Sequence, residues 1–148
     1  METLSGVTVA TLFAGLLTLG YGGLLRHVAR MQLDMVTNGF VLDLQQIRSD
    51  SIFRSRPARE AAGIYLYKDQ SNGYQILRGT NEVRRRDFLA DYGTAVYFVS
   101  VPFREIQFTT QGSPRKSGIF TLAMKGFPGL KKQVEIQPVT GRIKVTDW

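Results

Sequence analysis

The run VTVATLFAGLLTLGYGGLL at Val7–Leu25 contains 19 consecutive residues without a charged side chain. A helix rises about 1.5 Å per residue, so this run spans about 28 Å, close to the thickness of a hydrocarbon core. Arg26, His27 and Arg30 follow it and end the apolar stretch. The sequence therefore predicts an N-terminal helix that crosses a membrane.

Three kinds of N-terminus carry such a run: a cleaved secretory signal, a plain membrane anchor, and a short leader that ends in glycine before an unbroken apolar helix. A secretory signal begins with basic residues, whereas Glu2 is the charged residue before this run. In the third kind the leader would be residues 1–6 and would end at Gly6, which is what the family resemblance described below implies. A plain anchor and a mature start at Met1 stay open. Arg26 and Arg30 favour a cytoplasmic head by the positive-inside rule.

The pattern beyond the apolar run predicts that the helix continues through residues 26–56 and stops near Arg54, ahead of Pro57. Its apolar residues recur every three or four positions, as on one helical face. This stripe contains Val36, Phe40, Leu44 and Ile47, and its first members are Val28, Met31 and Met35.

Short alternating segments separated by turn residues predict a β-rich head over residues 57–148. The predicted strands are Ile64–Tyr67, Tyr74–Leu77, Thr94–Val101, Glu105–Thr109, Ile119–Met124, Gln133–Gln137 and Arg142–Val145. The turns at residues 69–73 and 138–141 indicate two hairpins. After a loop, Ile119–Met124 is expected to be the return strand that pairs with Glu105–Thr109. Arg84–Arg86 is expected to be a surface segment. The fold class is α+β, a long helix packed on a small antiparallel sandwich.

Composition excludes several classes of chemistry. The chain has no cysteine and one histidine, which excludes a disulfide scaffold, a thiolate metal site, a cysteine nucleophile and a His-rich metal centre. His27 is expected to be an interfacial residue, since no paired-carboxylate or phosphate-loop motif accompanies it. We therefore expect no enzyme activity, no catalytic residue, no metal and no cofactor.

Positive charge is concentrated in the last third of the chain. Residues 106–148 contain 7 basic and 2 acidic side chains, a net charge of +5. The whole chain has a net charge of +7. If these cations converge, they form a patch that tracks nucleic-acid phosphates. The candidates are Arg115, Lys116, Lys131, Lys132, Arg142 and Lys144. The alternative is a solvated face that keeps the head soluble or contacts acidic neighbours.

The order of these features resembles the type IV pilin-like proteins. Gly6-Val7-Thr8-Val9-Ala10-Thr11-Leu12 is similar to the prepilin junction, with Thr11 where the family has glutamate and with an acidic leader. Leu44-x-x-x-Arg48-Ser49-Asp50 at the helix end and VEIQPVTGRIKV at Val134–Val145 resemble the minor pseudopilin H and FimT-like minor pilins. The resemblance extends over almost the whole chain.

The resemblance implies a structural subunit of a type IV pilus-like or type II secretion filament. A prepilin peptidase would cut between Gly6 and Val7, and the new amine would be methylated. The apolar helix would lie in membrane lipid as a single-pass anchor and then pack with other pilins or pseudopilins in an extracellular or periplasmic filament. Its core residues would be Leu12, Phe13, Leu16, Leu17 and Leu19.

Two alternatives accompany this interpretation. FimT-like minor pilins use a Gly-Arg-x-Arg motif at the last hairpin in DNA uptake, and Gly141-Arg142-Ile143-Lys144 matches it except that lysine replaces the second arginine. Lysine keeps the charge but loses the planar fork of arginine. The other alternative is a major pilin or a plain membrane-anchored β domain. Thr11 favours a minor subunit, at the tip or in initiation.

Overall fold

A long helix, α1 (Glu2–Arg54), begins the chain. The computed structural model describes residues 2–54, 60–67 and 71–148, with the side chains of α1 described from Gly20 onward. The predicted continuation of the helix beyond the apolar run, as far as Arg54, is confirmed. The expected leader at residues 1–6 and most of the apolar segment at 7–25 lie outside the described side chains, so both stay predictions.

Eight strands and a short helix follow α1 within the described residues. In chain order they are β1 (Ala62–Leu66), β2 (Gly73–Arg78), β3 (Asn81–Asp87), α2 (Phe88–Tyr92), β4 (Val96–Ser100), β5 (Glu105–Gln107), β6 (Gly118–Met124), β7 (Lys131–Ile136) and β8 (Ile143–Asp147). The first sheet has the order β3-β2-β1-β5 and the second has the order β4-β6-β7-β8. Both sheets contact α1 and all their strand pairs are antiparallel, which confirms the predicted α+β fold.

Two predicted hairpins are confirmed, and one predicted pairing is wrong. β1 pairs with β2, and β7 pairs with β8. The segment Ile119–Met124 does not return against Glu105–Thr109, because β5 pairs with β1 in the other sheet and β6 pairs with β4 and β7. Ile106 lies opposite Ile64, and both side chains are fully buried. Pairing β5 with β1 therefore buries Ile106 in the core, which favours the place of this short strand in the first sheet.

The segment Arg84–Arg86 lies at the surface as expected, but it forms part of β3, an edge strand of the first sheet. The exposed charged side chains of Arg84 and Arg85 suit an edge that must not pair with another chain. α2 follows directly and was not predicted. Asp87 caps it by accepting hydrogen bonds from the amides of Leu89 and Ala90, and Gly93 ends it in the left-handed conformation.

The core lies between α1 and the two sheets, with Phe40 near its centre. The Phe40 ring centroid is 5.2 Å from that of Tyr74, 5.3 Å from that of Phe98 and 5.8 Å from that of Phe120. All three pairs have the edge-to-face geometry that aromatic rings favour. Val36, Leu44 and Ile47 are also buried, so this part of the predicted stripe is confirmed.

The first part of the predicted stripe was placed on the wrong face of α1. Val28, Met31 and Met35 are 43%, 59% and 45% exposed, whereas Ala29 and Leu33 are buried against the head. Both faces of this part of the helix carry apolar side chains, so their periodicity does not identify the face that meets the head.

Candidate interaction surfaces

α1 carries an apolar stripe on the side that the head leaves uncovered. We call it the outer stripe, and its members are Leu24, Val28, Met31, Met35, Leu42 and Phe53. Their spacing keeps them on one helical face over about eight turns, where exposed Asn38, Gln46 and Ser49 interrupt the apolar side chains. Phe53 is 83% exposed and Leu42 is 63% exposed. Exposed apolar side chains on one helical face are typical of a surface that contacts another helix or lipid.

The predicted processing and membrane residues lie towards the N-terminal end of α1. They are Gly6, Val7, Leu12, Phe13, Leu16, Leu17 and Leu19. All seven fall outside the described side chains. Within the described residues, no helix contains an apolar window long enough to span a bilayer.

Arg48 joins α1 to two loops of the head. Its Nε donates to the Gly112 carbonyl and its Nη2 donates to the Thr140 carbonyl, each at 3.0 Å. The two loops also contact each other, because the Ser113 hydroxyl donates to the Val139 carbonyl. Gly141 has a φ of 63°, and an added Cβ there would collide with the Gly112 carbonyl oxygen. The loop at 109–116 and the turn at 138–142 therefore form one unit at the C-terminal end of α1.

Three of the predicted cations are carried by this unit. Arg115 and Lys116 line a surface hollow together with Glu105 and Gln107. Arg142 belongs to the turn that Arg48 holds, and its side chain is exposed. We call these three residues the distal cations. Lys144, in β8, lies opposite Glu135 of β7, so a carboxylate offsets part of its charge.

The other two predicted cations lie at the opposite end of the β7–β8 hairpin. Lys131 is the first of the six residues of β7, so it lies about 17 Å from the far end of that strand. Lys132 Nζ lies 2.6 Å from Asp34 Oδ1 and 2.9 Å from Asp147 Oδ1. Burial lowers the pKa of Lys132, but the two carboxylates outweigh it and hold that pKa above its ordinary value. The six predicted cations thus lie in two groups.

A buried carboxylate that sequence reasoning missed links α1 to the first sheet. Asp43 is 3% exposed and accepts hydrogen bonds from the Tyr74 hydroxyl at 2.7 Å and from Arg86 Nε at 3.0 Å. Arg84 Nη1 lies 3.6 Å from the other carboxylate oxygen. The Asp43 hydrogen bond raises the pKa of Arg86, against the effect of partial burial. An acidic residue within an otherwise apolar stripe was the available signal for this contact.

Comparison with known proteins supports the fold. No protein-family model matches the chain, and no curated protein matches it. The structure is similar to the crystal structure of the type IV minor pilin FimU of Pseudomonas aeruginosa, strain PAO1, with a TM-score of 0.61 and 21% sequence identity. The match covers 79% of this chain and 90% of that one. This likeness shows that the chain has a pilin-like fold.

Proposed function

We propose that this chain is a minor pilin or pseudopilin, a structural and non-enzymatic subunit of a type IV pilus-like or type II secretion filament. The observation that carries the proposal is the outer stripe on a pilin-like fold. Apolar side chains along the uncovered side of α1 are stabilised by contact with helices of neighbouring subunits. Before assembly, the apolar segment Val7–Leu25 would hold the chain in the membrane.

The proposed minor role rests on Thr11. In the pilin-like pattern this position carries a glutamate, and the resemblance implies that its carboxylate pairs with the free amine of a neighbour. A threonine hydroxyl carries no charge to neutralise that amine, and an unpaired buried charge costs several kcal/mol. A filament made of many copies would repeat this cost, whereas a tip or initiating subunit would not.

Processing and location follow from the same proposal. A prepilin peptidase would cleave after Gly6, which leaves Val7 as the first residue, and the mature chain would enter a periplasmic or extracellular filament. Its partners would be other pilins or pseudopilins of that filament.

The proposal is tested by placing charges on the outer stripe. In cells that produce the full chain, Met31→Glu plus Met35→Glu is expected to reduce its amount in sheared filaments at least about tenfold, about 1.4 kcal/mol, with the chain retained in membranes. The matched control is Val99→Glu plus Ile119→Glu, which charges two similarly exposed apolar residues of the second sheet. Normal entry of the outer-stripe variant, or absence of the unmodified chain from filaments, would overturn the proposal.

A second candidate function is DNA binding by the C-terminal hairpin. It is favoured by the contact between the loop of Arg115 and Lys116 and the turn that carries Arg142, since this contact groups three cations at one end of the head. Phosphate contacts by such cations give sequence-independent binding that weakens steeply with salt.

This second function is tested with the full chain in detergent and a duplex DNA. Arg115→Ala plus Arg142→Ala is expected to weaken binding equally for all sequences and to reduce the salt slope by about two. Arg85→Ala plus Arg104→Ala removes the same charge elsewhere on the surface and serves as the control. Absence of binding at low salt would remove this candidate.

A further inference from the structure

The N-terminal end of the head carries a second group of basic side chains, outside the hairpin motif. Arg26, His27 and Arg30 lie on one face of α1, where they line a shallow surface hollow with Gly23. All three side chains are exposed. They follow directly after Leu25, the last residue of the apolar run.

β8 brings the C-terminal residues of the chain to the same place. It runs from the turn held by Arg48 towards Asp34, where Lys132 bridges Asp34 and Asp147. Asp34 lies about one helical turn after Arg30, so this bridge brings the end of β8 beside the part of α1 that carries Arg30, and Lys132 holds the pKa of Asp147 below its ordinary value.

Trp148 extends beyond this ion-pair cluster. Its backbone amide donates to the Lys131 carbonyl at 3.2 Å, and Lys131 Nζ lies 5.9 Å from the centre of its ring. The ring is 74% exposed although a lysine flanks it. An exposed indole beside cations is typical of side chains at a membrane–water interface, where one part of the ring meets apolar groups and the other meets water.

The position along α1 matches the headgroup layer of a bilayer. Leu25 to Arg30 corresponds to a rise of about 7 Å, and the polar layer on each side of the hydrocarbon core is about 5–8 Å thick. If the apolar run spans the core, Arg26 and Arg30 lie among the headgroups, and the end of β8 lies at their outer boundary.

We propose that Arg26, His27, Arg30, Lys131 and Trp148 form a collar that binds the headgroups of anionic phospholipids. Within the surrounding cluster, the four cationic side chains Arg26, Arg30, Lys131 and Lys132 exceed the two carboxylate side chains Asp34 and Asp147, which leaves a net side-chain charge of +2. Lysine and arginine side chains next to an anionic membrane surface are attracted to it. The collar rests on the proposed anchoring of the chain by Val7–Leu25, and it would hold the head against the membrane before assembly.

Trp148 is the single tryptophan of the chain, so its fluorescence reports on the collar directly. The full chain is reconstituted into vesicles of phosphatidylcholine alone or with about one-third phosphatidylglycerol, and acrylamide quenching is measured. Phosphatidylglycerol is expected to shift the emission to shorter wavelength and to lower the quenching constant at least about twofold. About 0.5 M salt should reverse both effects, because it screens exposed charges.

Two variants test whether the response to phosphatidylglycerol depends on the cations of the collar. Arg26→Gln, Arg30→Gln and Lys131→Gln together should abolish the response to phosphatidylglycerol. A control removes the same charge from exposed arginines elsewhere: Arg54→Gln, Arg85→Gln and Arg104→Gln. It should respond like the unmodified chain. Equal loss in both variants would overturn the collar, because it would trace the response to total charge.

Failure of the collar and failure of the anchor give different results. Acrylamide quenching that is the same in both lipids overturns the collar. The same result is expected if these cations bind acidic neighbouring subunits and not lipid headgroups. Failure of the chain to float with phosphatidylcholine vesicles overturns the anchor. In that case a salt-sensitive response to phosphatidylglycerol would still support the collar.

Discussion

Arg48 and Gly112 are 64 residues apart in sequence, and Arg48 Nε donates a 3.0 Å hydrogen bond to the Gly112 carbonyl. Gly112 follows β5 of the first sheet, while Thr140, the other acceptor of Arg48, lies between β7 and β8 of the second. One side chain of α1 therefore holds loops from both sheets. This contact fixes the position of the C-terminal hairpin relative to the helix.

Replacing Arg48 tests this link. Arg48→Ala removes both hydrogen bonds and is expected to lower the free energy of unfolding by about 1–3 kcal/mol. Arg54→Ala is the matched control one and a half turns further along α1, where an exposed 3.8 Å ion pair with Asp50 contributes at most about 0.5 kcal/mol. Urea unfolding in detergent measures both values. Equal destabilisation by the two variants would show that Arg48 does not join the loops.

The contact between the loops predicts different costs for two glycine substitutions. Gly93 and Gly141 both have a φ of 63°, so alanine is strained by about 1–2 kcal/mol at either position. At Gly93 the added Cβ meets open space, but at Gly141 it meets the Gly112 carbonyl oxygen. Gly141→Ala should therefore lower the melting temperature more than Gly93→Ala. Calorimetry of the two variants checks this, and equal shifts would mean that the loops are not in contact.

The Asp43 cluster predicts an asymmetric double-mutant cycle. Tyr74→Phe leaves Asp43 paired with Arg86 and is expected to cost about 1 kcal/mol. Asp43→Ala leaves the Arg86 charge and the Tyr74 hydroxyl without their acceptor, at a cost of about 3–5 kcal/mol. The double variant should show a coupling energy of at least about 0.5 kcal/mol. Strictly additive unfolding energies would contradict a direct contact.

Stability should fall at alkaline pH through Tyr74. Burial and the nearby Asp43 carboxylate raise the pKa of Tyr74 far above its ordinary value of 10.0. The contribution of protonated Tyr74 to the free energy of unfolding is fully present below pH 10.0. It is lost as pH rises further, because the tyrosine then ionises in the unfolded chain but stays protonated in the folded one. The loss approaches about 1.4 kcal/mol per pH unit. Tyr74→Phe should lose about 1 kcal/mol less between about pH 9 and about pH 11. Parallel unfolding energies of the two proteins over that interval would refute this.

Much of the fold was predictable because its signals are local. Alternating apolar residues identified β1, β2, β7 and β8, and Pro57 indicated where α1 ends. β3 was missed because Val83 is its single apolar residue, so nothing distinguishes this edge strand from a charged loop. The pairing of β5 depends on burial of Ile106 beside Ile64, a long-range contact that no local pattern contains.

The sequence predicts which types of residue form the candidate interaction surfaces better than it predicts where those residues lie in the fold. The basic residues of the last third can be listed from the sequence, but the sequence does not show that Lys131 and Arg142 lie at opposite ends of one hairpin. The outer stripe was assigned in part to the core, because Met31 and Met35 share the helical spacing of buried residues. The placement of Trp148 beside Lys131 depends on the register of β8 against β7.

The N-terminal residue and intact mass of the chain from its native cell test the central claim most directly. A pilin-like filament subunit is expected to begin at Val7, with residues 1–6 removed and the new amine methylated. This result would establish processing by a prepilin-type peptidase. A chain that still begins at Met1 would contradict the account, and it would indicate a membrane-anchored β domain that has the pilin fold without the assembly pathway.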